Sequence, residues 1–158
     1  MSCSTGLIKK VTDSFSRPAN TTAYTAGDLV ANNTTPGSVV PLTFNTGRGG
    51  IRIKGASITK TDETDVSNAE FSLHLFGSSP TVGNGDNGSL SYDFSDKFAD
   101  IDFATMVAAT DVAWAISTGT DYNFYTAGGN LYGLIEADAA YGPASGETFS
   151  VTLIFERT

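Results

Sequence analysis

Apolar and polar residues alternate along much of this chain, with the period of two that marks half-buried β-strands. The alternation is clearest over 69–76, where Phe71, Leu73 and Leu75 share one face. A second strong strand is predicted over 148–156, whose odd-numbered positions are all large and apolar. Both segments are predicted to turn their apolar face toward a core.

Weaker patterns of the same kind predict a further set of short strands. They cover 22–30, 38–44, 50–60, 112–117, 122–125 and 131–137. Proline has no amide proton for a strand ladder, so Pro41 places its strand at a sheet edge or at a bulge. The alternation in 50–60 changes phase near Gly55, and a glycine there permits a β-bulge.

Clusters of glycine and asparagine separate these strands. Such residues supply the positive backbone angles that tight turns need, and they are frequent in 32–37, 45–50 and 77–88. The stretch Asp100–Ala109 is the only helical candidate, and it allows at most one short helix. No internal repeat of fixed period is present, and no linker divides the chain.

Many short strands with Gly-rich turns and almost no helix predict an all-β fold. With about eight strands, we expect an antiparallel β-sandwich that is jelly-roll-like in topology. The first 20 residues are polar and contain Arg17-Pro18. Residues 1–20 are therefore predicted to form an N-terminal arm that leaves the domain or pairs with a neighbour. Residues 21–158 are predicted to form a single β-sandwich domain.

The charge balance narrows the range of partners. Nine basic and 17 acidic residues give a net charge of −8, and the pI is about 4.3. Phosphate recognition needs clustered Lys and Arg, so nucleic acid is not an expected partner. An anionic membrane surface is not expected either, since it attracts the same basic clusters.

We expect neither a secretory signal nor an intrachain disulfide bond at the N-terminus. The single cysteine, Cys3, cannot form an intrachain disulfide, and we expect an untethered thiol. Met1–Lys10 lacks the apolar segment of a secretory signal, so none is expected. No apolar run approaches the roughly 18 residues of a transmembrane helix.

Residues suited to catalysis are sparse. The only histidine, His74, lies in mid-strand opposite the apolar face, and no Gly-x-Ser-x-Gly elbow offers it a nucleophile. We interpret it as a surface or interface histidine. A glycosidase needs two acids on core strands, and Glu70 and Glu136 are the only candidates. We expect a protein that is not an enzyme and assign no catalytic residue.

Metal and phosphate sites are not expected either. Carboxylates cluster in 62–65 and along 93–102, but the loop Gly83–Gly88 matches the calcium-binding pattern poorly. We interpret the clusters as solvated acidic loops, with structural or adventitious calcium as the alternative. One His and one Cys cannot make a typical zinc site, and Gly47–Gly50 lacks the Lys and the helix of a phosphate loop. No metal and no cofactor are assigned.

Aromatic residues leave three interpretations open. Tyr122, Phe124 and Tyr125 fall close together, with Tyr132 and Tyr141 downstream. Core packing and strand propensity explain such residues without any function. If exposed, they would anchor a protein interface or stack on sugars.

Three stretches stand in a distinctive order. They are Asp13–Asn33, then Phe71–Phe76 followed by Pro80 and Asp86-Asn87, then Leu131–Ile135. In this order and spacing they resemble small structural proteins of tailed bacteriophages. Among those proteins are capsid cement, or decoration, proteins with a jelly-roll or β-sandwich fold. The resemblance covers the chain from about Asp13 to Glu156.

The resemblance implies a virion structural protein without catalysis. Cement proteins bind the outer capsid surface and clamp major capsid protein subunits where they meet. It thus implies two partners: the major capsid protein and further copies of this chain, as a dimer or trimer. It implies a location on the virion surface after synthesis in the host cytoplasm. A polar N-terminal arm would suit pairing with a neighbour's sheet edge.

A head-fibre, tail-fibre or tail-tip domain is the alternative. Such a domain would use Tyr122, Phe124 and Tyr125 with the polar loops to bind a host receptor or glycan. A small glycan-active enzyme ranks last. The number of copies per virion distinguishes a cement protein from a fibre or tail-tip domain, because cement proteins cover the whole shell whereas fibres are few.

Overall fold

The computed structural model describes residues 6–93, 96–117 and 119–158, so Cys3 lies outside the described residues. Within these ranges the chain forms eleven strands and no helix. In chain order they are β1 (Ile8–Ser16), β2 (Asp28–Val30), β3 (Leu42–Asn45), β4 (Gly49–Lys60), β5 (Phe71–Phe76), β6 (Lys97–Asp102), β7 (Val107–Ala109), β8 (Val112–Ile116), β9 (Tyr122–Thr126), β10 (Asn130–Ala137) and β11 (Thr148–Arg157).

The strands form two antiparallel sheets that pack face to face, as the sequence predicts. The first sheet has the order β1-β11-β4-β8-β7, with β9 also paired to β4. The second has the order β2-β10-β5-β6, with β3 also paired to β10. Strands β8 and β9 pair with different halves of β4, as β2 and β3 do with β10.

This strand order is that of a jelly roll. When β2 and β3 count as one position, and β8 and β9 as another, each sheet has four central positions and β7 extends the first. With β2 and β3 counted once, and β7, β8 and β9 counted once, consecutive strand positions along the chain belong to the first, second, first, second, second, first, second and first sheet. Two interlocked Greek keys give this path. The predicted all-β, jelly-roll-like sandwich is therefore confirmed.

The short helix predicted over Asp100–Ala109 is wrong. This stretch contains the end of β6 and the whole of β7. Buried Ala99, Ile101 and Phe103 alternate with exposed residues, which is the period of a strand. Pairing with β5 holds the first part of this stretch in an extended conformation.

The segment predicted to be an arm contains an edge strand of the sandwich. Nine residues of β1 pair in register with β11 of the same chain, so residues 8–16 do not leave the sheet. The ring of Phe15 stacks on that of Phe149 with centroids 5.9 Å apart. Val11 and Phe15 form an inward apolar face among polar neighbours. The division of the chain into 1–20 and 21–158 stays a prediction.

The main core fills the space between the two sheets. Its largest fully buried members include Phe44, Phe71 and Phe149. Each such side chain contributes about 1.5–3 kcal/mol by leaving water. A smaller cluster, with Phe76 and Leu134 at its centre, lies on the other side of the second sheet under the connecting segments.

The predicted bulge in β4 is confirmed. Residues Ile154 and Phe155 of β11 face Gly55 and Ile53, so Lys54 is the extra residue. The extra residue changes the phase of the strand, and Arg52 and Ser57 therefore point to the same side of the sheet. Both lie on the outer face of the first sheet.

Candidate interaction surface

The outer face of the first sheet carries two adjacent rows without a charged side chain. Cross-strand pairing aligns these residues. One row contains Ser14, Ser150, Thr59, Trp114 and Val107, and the next contains Thr12, Thr152, Ser57 and Ile116. We call them the hydroxyl rows. The hydroxyl oxygens of Thr12 and Thr152 lie 2.7 Å apart, so these two side chains form a hydrogen bond between neighbouring strands.

Apolar side chains are exposed at one side of the hydroxyl rows. Val107, Trp114 and Ile116 have relative exposures of 54%, 42% and 55%. Val107 of β7 lies directly opposite Trp114 of the neighbouring strand β8, and Ile116 lies two residues further along β8 on the same face. A contiguous group of exposed apolar side chains on the flat face of a sheet is typical of an interaction surface.

Basic residues gather at one end of the first sheet. Six of the nine Lys and Arg lie at the start of β1, near the start of β4 and at the end of β11, which are neighbouring strands. We call this the basic end; its members are Lys9, Lys10, Arg48, Arg52, Lys54 and Arg157. Arg52 is paired there with Asp121 at 2.7 Å and with Glu156 at 3.6 Å.

Acidic residues gather at the opposite end of the sandwich. They follow β4 and β10, precede β5, end β6, or occupy the turn between β7 and β8. We call this the acidic end; its members are Asp62, Glu63, Asp65, Glu70, Asp102, Asp111 and Asp138. The basic residues at this end, Arg17 and Lys60, are buried. The surface of the molecule is thus charge-separated along the strand direction.

Strand β1 is an open edge of the first sheet. Among the described residues it pairs with β11 alone, and most of its residues are exposed. Leu7 and Ile8, at its start, have relative exposures of 74% and 60%. The carboxylate of Asp13 accepts a hydrogen bond from the Thr43 amide at 2.6 Å, which ties the edge to the second sheet.

His74 lies between two carboxylates rather than on a free surface. Its Nε2 is 2.6 Å from Glu136 Oε2, and its Nδ1 is 2.7 Å from Asp100 Oδ1. The residue is only 7% exposed, and its ring packs against Tyr92. The imidazole bridges strands β5, β6 and β10 through these acids, which is an anchoring geometry.

The remaining candidate acids do not converge on a cleft. Glu136 pairs with His74, whereas Glu70 accepts a hydrogen bond from the Thr105 hydroxyl at 2.9 Å. Burial raises the pKa of Asp138, and the nearby carboxylates of Glu136 and Asp102 raise it further. Among the described residues no group of three or more His, Cys, Asp or Glu is arranged to hold a metal ion.

The two glycine loops are filled by the protein's own side chains. In Gly83–Gly88, the side chain of Asp86 turns inward and is buried. In Gly47–Gly50, the Arg157 guanidinium donates to the carbonyl of Arg48 at 2.6 Å and to that of Thr46. These contacts leave the loops with a structural role.

The aromatic trio does not form one platform. Tyr122 donates from its hydroxyl to the Asp100 carbonyl at 2.7 Å, and the Phe124 ring stacks on Phe98 at 3.9 Å between centroids. Tyr125 points to the outer face of the first sheet, where it is 69% exposed. An open groove of about 420 Å³ lies beside β6 and is lined by Lys97, Phe98, Ala99, Asp100 and Tyr122.

A buried polar cluster joins two distant parts of the chain. Arg17 Nη2 is 3.1 Å from Asp86 Oδ2, and both side chains are fully buried. The Tyr24 hydroxyl donates to Asp86 Oδ1 at 2.6 Å, and Arg17 also donates to this hydroxyl. Burial, and then the Asp86 carboxylate, raise the pKa of Tyr24. No sequence pattern marked this cluster, because its members are up to 69 positions apart.

A second buried pair lies at the same end. Lys60 Nζ is 3.6 Å from Glu147 Oε2 and donates to the Thr64 carbonyl at 2.9 Å. The ammonium also lies 5.2 Å from the centre of the Tyr141 ring. Burial raises the pKa of Glu147, although Lys60 acts in the opposite direction. The cluster and the pair hold the acidic end of the sandwich from within.

No protein-family model matches this chain, and no curated protein is similar to it in sequence. Chains of several solved structures are similar to this one. A chain of the cyanophage Pam1 capsid is 14% identical, with a TM-score of 0.41, over 97% of this chain and 86% of that one. A chain of the Ralstonia phage GP4 capsid is 14% identical, with a TM-score of 0.38, over 94% and 84%. A chain of the capsid of Helicobacter pylori bacteriophage KHP30 is 12% identical, with a TM-score of 0.35, over 95% and 93%.

The described residues contain no helix of the length and apolarity that a membrane span requires.

Proposed function

We propose that this chain is a structural protein of a bacteriophage virion. In this role it is a capsid cement protein that binds the outer capsid surface and stabilises contacts between major capsid protein subunits. It acts as a homo-oligomer, without catalysis and without contact to nucleic acid or membrane. The resemblance of Asp13–Glu156 to tailed-phage virion proteins supports the proposal, and the fold agrees with it.

The observation that carries the proposal is the open edge at β1. An edge strand presents unpaired backbone groups, and an extended segment of another protein can add a strand there. The edge is nine residues long and largely exposed, and Leu7 and Ile8 lie uncovered at its start. We propose that a segment of the major capsid protein pairs with this edge.

A clamp must also resist strain, and the structure of β1 suits that need. Phe15 packs into the core against Phe149, and Arg17 directly after β1 is held in the buried cluster with Asp86. Force applied at the edge therefore reaches the centre of the sandwich. Because a shell presents many identical sites, modest affinity at each site is enough when copies are linked in oligomers.

Binding to particles tests the proposal. Purified protein is added to particles that lack it, and bound protein is measured by co-sedimentation. We expect saturable binding over the whole shell and a higher temperature of particle disruption. Ile8→Asp places a charge at the start of the edge and should weaken binding at least about tenfold, since the apolar contact is lost.

The matched control is Val40→Asp. Val40 is 66% exposed, as Ile8 is 60% exposed, but it lies before β3 in the second sheet. It should leave binding unchanged. Failure to bind particles, or equal losses in the two variants, would contradict attachment through the β1 edge.

The groove beside β6 favours a second candidate function, a fibre or tail-tip domain that binds a host receptor or glycan. Phe98 offers an aromatic surface, and Asp100 and Tyr122 lie beside it in the same open groove. Sugars bind where aromatic faces and polar groups meet. Saturable binding of host-surface glycans, abolished by Phe98→Ala, would support this function in place of the first.

A further inference from the structure

We infer that the outer face of the first sheet is a self-association surface, on which a second copy packs face to face with its strands reversed. This inference rests on the proposed function in one respect, namely that the protein acts as a homo-oligomer. Its two-fold axis lies in the plane of the interface, across the strands. Each copy then contributes the same residues, as closed two-fold dimers require.

The shape and composition of the face suit a second sheet. The hydroxyl rows hold Ser and Thr side chains of similar length on three neighbouring strands. No charge needs to be stripped of water at the centre, which is where interfaces are depleted of charge. Sheets that pack face to face bring such rows together at a spacing of about 10 Å.

The charge distribution selects a second copy as the occupant and fixes its orientation. Strand reversal puts the basic end of each copy over Asp62, Glu63 and Asp111 of the other, which are members of the acidic end that adjoin strands of the first sheet, so the favourable contact forms twice. The opposite orientation, with strands aligned, would put like charges together and cost free energy. Attraction of this kind also overcomes the general repulsion between two molecules of charge −8.

The exposed apolar residues complete the fit. Rotation about this axis keeps the β7–β8 side of one copy over the same side of the other. When the hydroxyl rows lie over one another, the row of Trp114 and Val107 faces the row of Ile116, so the exposed apolar residues of the two copies meet. Tryptophan side chains that are buried in this way often dominate the binding energy of an interface.

Trp114 makes the inference directly measurable, because it is the only tryptophan in the chain. Dilution of the purified protein from about 100 µM to about 1 µM spans the affinities expected of a modest dimer. We expect the mass from light scattering to fall from dimer to monomer, and Trp114 emission to shift to longer wavelength in parallel. Added salt should weaken the dimer, since the end contacts are charged.

Charge exchange tests the orientation. A variant with Lys10→Glu and Lys54→Glu loses the net positive charge of its basic end, and a variant with Glu63→Lys and Asp111→Asn has a weakened acidic end. Each alone should dimerise at least about tenfold more weakly, because charges at the rim set register and partner choice. Mixed together, they should form a heterodimer that is tighter than either homodimer.

A monomer at all concentrations, with unchanged Trp114 emission, would overturn the inference. So would dimers that form equally well in both charge variants, or variants that fail to pair when mixed. The control Val40→Asp, away from the face, should leave the dimer intact. Particle binding is measured separately. A protein that is monomeric and still binds particles contradicts only the dimer. A protein that dimerises but does not bind particles contradicts only the proposed function.

Discussion

At the scale of single residues, two ion pairs lie buried in the sandwich. Arg17 with Asp86, and Lys60 with Glu147, place four ionisable side chains inside an otherwise apolar sandwich. Removal of one partner leaves the other charge buried without compensation, which is far more costly than loss of a surface pair. The sequence could not predict these pairs, because 69 positions separate Arg17 from Asp86.

We expect Asp86→Ala to lower the free energy of unfolding by about 3–5 kcal/mol, the usual cost of a broken buried ion pair. The Arg17 guanidinium and the Tyr24 hydroxyl both lose their acceptor. Arg52→Ala is the control, since the pair of Arg52 with Asp121 is exposed and contributes little. Urea unfolding followed by fluorescence measures both. Equal shifts in the two variants would contradict the importance of burial.

The pKa values predict how stability changes with pH. Burial raises the pKa of Asp138 and of Glu147 in the folded protein. The folded state therefore binds more protons than the unfolded state between the ordinary carboxyl pKa, about 4, and the raised values. Stability should fall as pH rises through this window, so the thermal midpoint should be higher at pH 5 than at pH 7.

Glu147→Gln isolates one part of this effect. It removes one titrating group, so the gain in thermal midpoint between pH 7 and pH 5 should be smaller than in the unchanged protein. The net charge of −8 also falls on acidification, and the variant therefore serves as the comparison. A gain of the same size in both proteins would show that Glu147 does not contribute.

At the scale of elements, periodicity predicted strands well wherever one face was buried. Phe71, Leu73 and Leu75 of β5 are all fully buried between the sheets. Strands in which polar residues mask the alternation could not be predicted in this way. In β1 only Val11 and Phe15 mark the inward face, and the partner that orders them, β11, lies at the other end of the chain.

The centre of β10 gives a sharp test of packing between the sheets. A Cβ at Gly133 would lie 2.9 Å from Leu73 Cδ1 and 3.1 Å from Phe44 Cε2. We expect Gly133→Ala to cost about 1–3 kcal/mol, as overpacked cores do. Gly128→Ala is the control, because no atom lies within 4 Å of its Cβ position. Thermal unfolding should separate the two variants; equal midpoints would show that the core yields there.

At the scale of the whole molecule, the fold class was predictable and the surface was not. Strand count and turn chemistry predicted a sandwich, and the alternation of Ser150 and Thr152 with buried neighbours showed one polar face. The hydroxyl rows join residues from five strands, however, and only the pairing of β11 with β4 and β1 brings them together. The same pairing creates the basic and acidic ends from charges that are scattered in the sequence.

These features describe a rigid sandwich with two surfaces available for assembly. The β1 edge suits a strand from another protein, and the outer face beside it suits a second copy. Both are extended and open, whereas His74 is held between the carboxylates of Asp100 and Glu136. The proposed function as a cement protein assigns these surfaces to attachment and to oligomerisation.

The copy number of this chain in purified virus particles tests that function most directly. Quantitative mass spectrometry compares its peptides with those of the major capsid protein. A lattice-wide cement should be present at about one copy, or about one third of a copy, per major capsid subunit, as the symmetry of the shell allows. A much smaller ratio would point to a fibre or tail component, and absence from the particles would contradict a virion role.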